Sequence, residues 1–217
     1  MARPVHPRKP RASSQARIQQ ILTAARELLS EQGAAQLSIY DVAERAGIPP
    51  SSIYHFFPSV PALLEGLTSD IHSAFRACLQ APIEHASLSS WHDLARQLEQ
   101  RTLAIYASDA AARQLILVQH GLNEVTLADQ QHDARLGKLL EQVFSRHFAL
   151  PPLPDDLHIF ALAMELSDRV YARSIQLHAH ITERFAEEAL RVFIAYLGLY
   201  LPPALPARPQ PLAIDTD

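Results

Sequence analysis

The sequence predicts an all-α protein of about nine helices. An N-terminal three-helix unit containing a helix-turn-helix is followed by a larger C-terminal helical domain. Three observations predict it. Apolar residues recur every three or four positions along most of the 217 residues, the period of a helix buried on one side. No stretch alternates apolar and polar residues as a half-buried strand would. The periodic segments break at Gly and Pro, the residues that stop helices.

In chain order, residues 1–12 hold three prolines and no apolar period, which predicts a disordered basic arm. The first helix starts at Ser13 or Ser14, carries Ile18, Ile21, Leu22, Ala25, Leu28 and Leu29 on one face, and stops at Gly33. Ser38 caps the second helix, with Asp41 three places on in a capping-box spacing. Ile39, Val42 and Ala43 face inward, and Gly47 supplies the turn. Pro50 fits the first turn of a third helix, where a missing N–H costs nothing. Ile53 and Phe57 face inward from it, which leaves Ser51, Ser52, Tyr54 and His55 outside. A short helix with small, polar and aromatic residues outward suits the major groove of DNA. A fourth helix of about 20 residues starts at Ser59 and spans roughly 30 Å at ~1.5 Å per residue.

The stretch AGIPPSSIYHFFPSVPALL resembles the helix-turn-helix of the tetracycline-repressor (TetR) family. Gly47, Tyr54, Phe57, Pro58 and Ser59 carry the likeness, which extends over about residues 14–66. The resemblance implies a DNA-binding domain at 13–58, a connecting helix at 59–80, and a ligand-binding and dimerisation domain at 81–201. It implies a transcriptional regulator, most often a repressor released from a palindromic double-stranded operator by a small-molecule effector. By position, Ser38 and Tyr40 would touch phosphates, while Pro50, Ser51, Ser52, Tyr54 and His55 would face the groove. The chain departs from the family at Pro49 and Pro50, where a capping Ser and a Lys or Arg are common. It departs again at Val60, where a Lys is usual. Both changes remove charge, so the basic arm is expected to carry more of the affinity.

Charge distribution agrees with a DNA-facing end. The net charge is −4, yet Arg3, Arg8, Lys9, Arg11, Arg17 and Arg26 all precede the first acid, Glu27. A basic head on an acidic body suits a protein that meets phosphate at one end. Six glycines and no GxGxxG or Walker-type loop argue against a nucleotide fold. One cysteine, Cys78, leaves no internal disulfide framework and suits a reducing cytoplasm. No uncharged apolar run reaches the ~18 residues of a membrane span, and the N-terminal stretch lacks a signal peptide's apolar core.

Beyond residue 80 the spacing predicts helices over Ser90–Ala107, Asp109–His120, Leu127–Phe148, Asp155–Ala179 and Thr182–Leu201. Residues 202–217 read as a Pro-rich disordered tail. The last two helices are too apolar for one buried face, so a two-fold partner is the economical cover. The resemblance implies the same, a four-helix homodimer interface. No set of residues spaced for catalysis appears. The eleven histidines include no metal-ligand spacing, since His178 and His180 leave a helix in different directions. No enzyme, metal or cofactor is therefore expected. For an effector, the candidate contacts are Trp91, Tyr106, His120, Asn123, Glu165, Arg169 and Tyr171. Trp91 and Tyr106 read equally as core, and Glu165 with Arg169 as an i, i+4 pair. Two other readings stand beside the regulator: a dimeric helical interaction module that has lost specific DNA binding, and a helical enzyme.

Overall fold

The computed structural model describes residues 12–118 and 123–211, leaving the side chains of 12 and 123–133 aside. Its helices are α1 (Ala12–Gln32), α2 (Ile39–Ala46), α3 (Pro50–Phe56), α4 (Val60–Gln80) and α5 (Trp91–Ser108). There follow α6 (Ala110–Ala112), which passes into a π-helical turn at Arg113–Val118, then α7 (Asn123–His147), α8 (Ile159–His178) and α9 (Glu183–Leu197). Among the described residues the β pairing is a single antiparallel bridge, Phe148 with Ala207. Two compact units, Met1–Leu67 and Thr68–Asp217, divide within α4.

In the first unit α1 buries Ile21, Leu22, Ala25, Leu28 and Leu29. It ends where Gly33 takes φ 78°. Ser38 Oγ accepts the Asp41 N–H at 3.1 Å to start α2, and Gly47 at φ 65° stops it. Ile39, Val42 and Ala43 turn inward as their spacing requires. Pro49 occupies the cap position of α3 without a side-chain bond, and Pro50 fills its first turn. Ile53 is fully buried and Phe57 nearly so. Arg45 ties α2 to α1 through Glu31 at 2.7 Å and Glu27 at 3.3 Å. Its hydrogen bond holds the Glu31 carboxyl below the usual range.

In the second unit the Asp93 carboxylate accepts the N–H of Ser89 and of Ser90 and the Ser90 hydroxyl, which fixes the start of α5. Arg101 closes the end of α4 by donating to the carbonyls of Cys78, Ala81 and Pro82. Asp109 caps α6 through the amides of Ala111 and Ala112. Ser167 Oγ donates to Ala189 O at 3.1 Å and so joins α8 to α9. The Ser174 hydroxyl donates to His180 O and accepts the Thr182 N–H, which sets the corner between the same helices.

Several elements differ from the sequence expectation: α7 begins at Asn123 rather than Leu127, and α9 ends at Leu197 rather than Leu201. α8 begins at Ile159 rather than Asp155, because burial begins there: residues 155–158 are exposed, while Ile159 and Phe160 are buried. The helix expected over 109–120 is, over its described residues, one α turn and a π turn ending at Val118, which buries Leu115, Ile116 and Leu117 in succession. Residues 202–211, expected to be disordered, form a strap. Ala149 N–H donates to Pro206 O and Arg208 N–H to His147 O, both at 2.9 Å. Proline forbids helix but leaves carbonyls free to accept. Residues 212–217 of that tail, and residues 1–11 of the expected arm, lie outside the described residues.

Candidate functional site

α3 is anchored by Ile53 and Phe57 and presents its other face outward. Ser51 and His55 are exposed, Pro50 and Ser52 half-buried, and Tyr54 44% exposed. Tyr40 on α2 is 67% exposed. Ser38 Oγ is engaged as the cap of α2. The His55 ring meets Phe56 edge-on with centroids 4.9 Å apart. A concavity of about 410 Å³ is lined by Ser13, Ser14, Arg17, Ser51, Ser52, His55 and Phe56. A second of about 400 Å³ runs along Tyr40, Ala43, Glu44, Gly47, Ile48, Pro49 and Pro50. The sequence-predicted reading residues thus share one unit and rim these concavities, apart from Ser38 and Tyr54, which line neither. Sequence reasoning missed Ser13 and Ser14 as neighbours of α3, because the fold, and no local pattern, brings the start of α1 there.

In the helical unit the effector candidates separate. Tyr106 lines a pocket of only about 10 Å³ with His72, Phe75, Thr102, Ile116, Leu136, Met164 and Asp168. Its hydroxyl donates to Asp168 Oδ1 at 2.9 Å. Phe75 packs edge-on against Tyr106 at 5.2 Å, and Tyr171 does so at 5.8 Å. Tyr171 is buried and donates its hydroxyl to Glu99 Oε2 at 2.7 Å. Glu99 is only 7% exposed. Burial pushes its carboxyl pKa up, against the hydrogen bond from Tyr171. Trp91 is also buried, but its indole N–H donates to Pro202 O at 2.9 Å, so it secures the strap. Glu165 and Arg169 lie exposed on α8. His120 and the Asn123 side chain fall outside the described residues. Glu99 and Asp168 were the polar groups missed. Glu99 was visible as an acid between Ala95 and Thr102, on the apolar stripe of α5.

A larger cavity of about 600 Å³ lies between Lys138, Glu141 and Ser145 of α7, the connector at 150–158, the start of α8, and Arg208. Among the described residues no three His, Cys, Asp or Glu are grouped to hold a metal ion. No helix among them is long and apolar enough to cross a membrane.

Residues 21–67 match the family described as bacterial regulatory proteins, tetR family. No curated protein matches the sequence. A TetR-family transcriptional regulator from Streptomyces coelicolor has a similar structure, with a TM-score of 0.69 at 24% identity over 85% of this chain and 99% of that one. A TetR transcriptional regulator from Rhodococcus sp. RHA1 gives 0.64 at 19% identity over 85% and 97%. The multidrug binding protein EbrR, complexed with imidazole, gives 0.60 at 20% over 87% and 97%. With the outward α3 on its two-residue apolar anchor, these likenesses make residues 21–67 a tetR-family helix-turn-helix DNA-binding domain, in a chain with the all-helical fold of TetR-family transcriptional regulators.

Proposed function

We propose that the chain is a transcriptional repressor that holds a palindromic operator as a homodimer and releases it when a small molecule enters the helical unit. The observation that carries the DNA part is α3 itself: Ile53 and Phe57 inward, Ser51, Tyr54 and His55 outward. Ser38, Tyr40, Pro50 and Ser52 complete the reading surface. Leucines left exposed on α8, Leu166 and Leu177, support pairing through the last two helices. In this reading residues 1–12 are a basic arm, 81–201 serve ligand binding and dimerisation, and the protein works without catalysis in the cytoplasm.

The effector site in this reading lies under Tyr106 and Asp168, with Tyr171 and Glu99 behind it; the space there is about 10 Å³, so an effector enters only as the surrounding helices part. EbrR, of similar fold, has a structure with imidazole, which supports a small-molecule effector. Such a ligand regulates DNA only by as much as it prefers the released state.

The test is a gel shift with the promoter DNA adjoining the chain's own coding region, for the wild type and for a Tyr54→Ala, His55→Ala double variant. The reading expects a shifted band that the double variant loses while it keeps its helical circular-dichroism spectrum. Absence of any shift, with a dimer still present by light scattering, would favour the interaction module that Val60 and Pro49-Pro50 suggest.

A further inference from the structure

The concavity beside α3 holds one arginine among its described lining residues, and that arginine is held in place. Arg17 Nη1 donates to Gln20 Oε1 at 3.1 Å. Gln20 Nε2 in turn donates to Ala46 O at 2.7 Å. Ala46 is the last residue of α2, next to the left-handed Gly47 that turns the chain toward α3. One amide side chain therefore carries the position of the turn to the guanidinium. Four serines line the concavity with Arg17, Ser13 and Ser14 from α1 and Ser51 and Ser52 from α3, together with His55. Every polar side chain in that lining can donate a hydrogen bond, and no carboxylate is among them. Arg45, by contrast, is already occupied by Glu31 and Glu27.

We propose that this concavity is a seat for a backbone phosphate of duplex DNA. Arg17, aimed by Gln20, grips the phosphate together with the hydroxyls of α1 and α3. The seat rests on the DNA-binding reading above and extends it to a helix outside the helix-turn-helix. Phosphate contacts carry little sequence information but set register. A phosphate fixed between α1 and the first turn of α3 sets how far α3 enters the groove, and so which bases Tyr54 and His55 meet. Gln20 is a positioning residue: it touches Arg17 and the turn, not the DNA.

The test is fluorescence anisotropy over a salt series with two labelled duplexes, one selected from a random pool by the wild-type protein and one unrelated. Each phosphate contact contributes about 0.9 to the slope of log K against log salt. Arg17→Gln is expected to lower affinity roughly tenfold at ~0.1 M salt and to flatten the slope by about 1 per bound subunit, on both duplexes. Gln20→Leu is expected to weaken binding in the same direction by less. Arg96→Gln, at an exposed arginine of α5, is expected to leave slope and affinity unchanged.

If the wild type binds both duplexes while Arg17→Gln keeps its affinity and slope, the seat is wrong and the DNA reading stands. If the wild type binds neither duplex, both fall. A thermal shift with inorganic phosphate that Arg17→Gln abolishes, with duplex affinity intact, would make this a free-anion site and overturn the proposal.

Discussion

His85 Nδ1 lies 2.9 Å from His147 Nδ1, with the two rings stacked at 21°. Their protons follow from the third partner. His85 Nε2 faces Arg208 O at 2.8 Å. A carbonyl only accepts, so His85 carries its proton on Nε2 and leaves Nδ1 bare. His147 Nδ1 must then be the donor in the pair. The arrangement needs His85 Nδ1 without a proton, and it holds the strap, because Arg208 also donates its N–H to His147 O and its Nε–H to Ser145 O.

Acid should therefore loosen the strap. Burial, then the fields of His85 and Arg146, depress the His147 pKa to about 4. A lowered histidine pKa means that the folded state favours the neutral ring. The contribution is complete above the unfolded value near 6.5 and is lost as pH falls from there toward 4. Its size is at most about 3.5 kcal/mol at ~1.4 kcal/mol per pH unit. Urea midpoints at about pH 7 and about pH 5 are expected to fall further for the wild type than for His147→Gln. Equal falls would show that another group sets the acid limit.

Gly137 allows α7 and α8 to touch. A Cβ added there would lie 2.6 Å from both the backbone N and the Cβ of Ala161. Backbone cannot rotate away as a side-chain tip can, so the helices must separate. Gly137→Ala is expected to cost roughly 1–3 kcal/mol, about 2–4 °C of melting temperature per kcal/mol at this size. Gly47→Ala would act differently. A Cβ there meets nothing within 4 Å, so its cost of roughly 1–2 kcal/mol comes from the positive φ alone. Asn at 47 should recover part of it. Calorimetry on the three variants checks the contrast, and an Asn at 47 as costly as Ala there would contradict it.

Glu99 gives a pH effect of the opposite sign. Burial raises its pKa in the folded state, so the neutral carboxyl is favoured there. Stability is then lost as pH rises from the unfolded value near 4.3 through the raised folded value. Glu99→Gln keeps an acceptor for the Tyr171 hydroxyl and removes the charge. Its melting temperature is expected to exceed the wild type's in mild alkali by several degrees, with the gap closing in acid. A variant less stable at every pH would mean that Glu99 is ionised and paired in the native protein.

These groups mark how far the sequence could be read. Ser38, Gly47 and Pro50 were legible because each acts on its own neighbours, through a cap, a positive φ or a first turn. The face of α3 followed from Ile53 and Phe57 by period alone. The buried polar pairs did not. Tyr106 with Asp168, Tyr171 with Glu99 and His85 with His147 join residues 62, 72 and 62 positions apart. Only packing decides such partners. Proline in the tail excluded helix without saying that Trp91 and His85 would hold its carbonyls. Glu165 and Arg169 had the composition of a site, but the turn of α8 carries them outward.

The exposed leucines of α8 supply the remaining prediction. Leu166 is 39% and Leu177 51% exposed, while Leu162 and Val170 on the same stripe are half-buried. Completing the burial of the two leucines in each subunit of a two-fold pair is worth about 4 kcal/mol, at ~1 kcal/mol apiece. A carboxylate at those positions would forfeit that gain and add the cost of desolvating a charge. A Leu166→Glu, Leu177→Glu variant is expected to fold, since both sites face solvent in the single chain and surface changes are mild. Its dimer dissociation constant should rise by a factor of 1,000 or so, at ~1.4 kcal/mol per tenfold. Light scattering across a dilution series reads this directly. Affinity for a two-half-site duplex should fall with it, while affinity for a single half-site should not. A variant that keeps the dimer mass throughout would place the two-fold contact on another face.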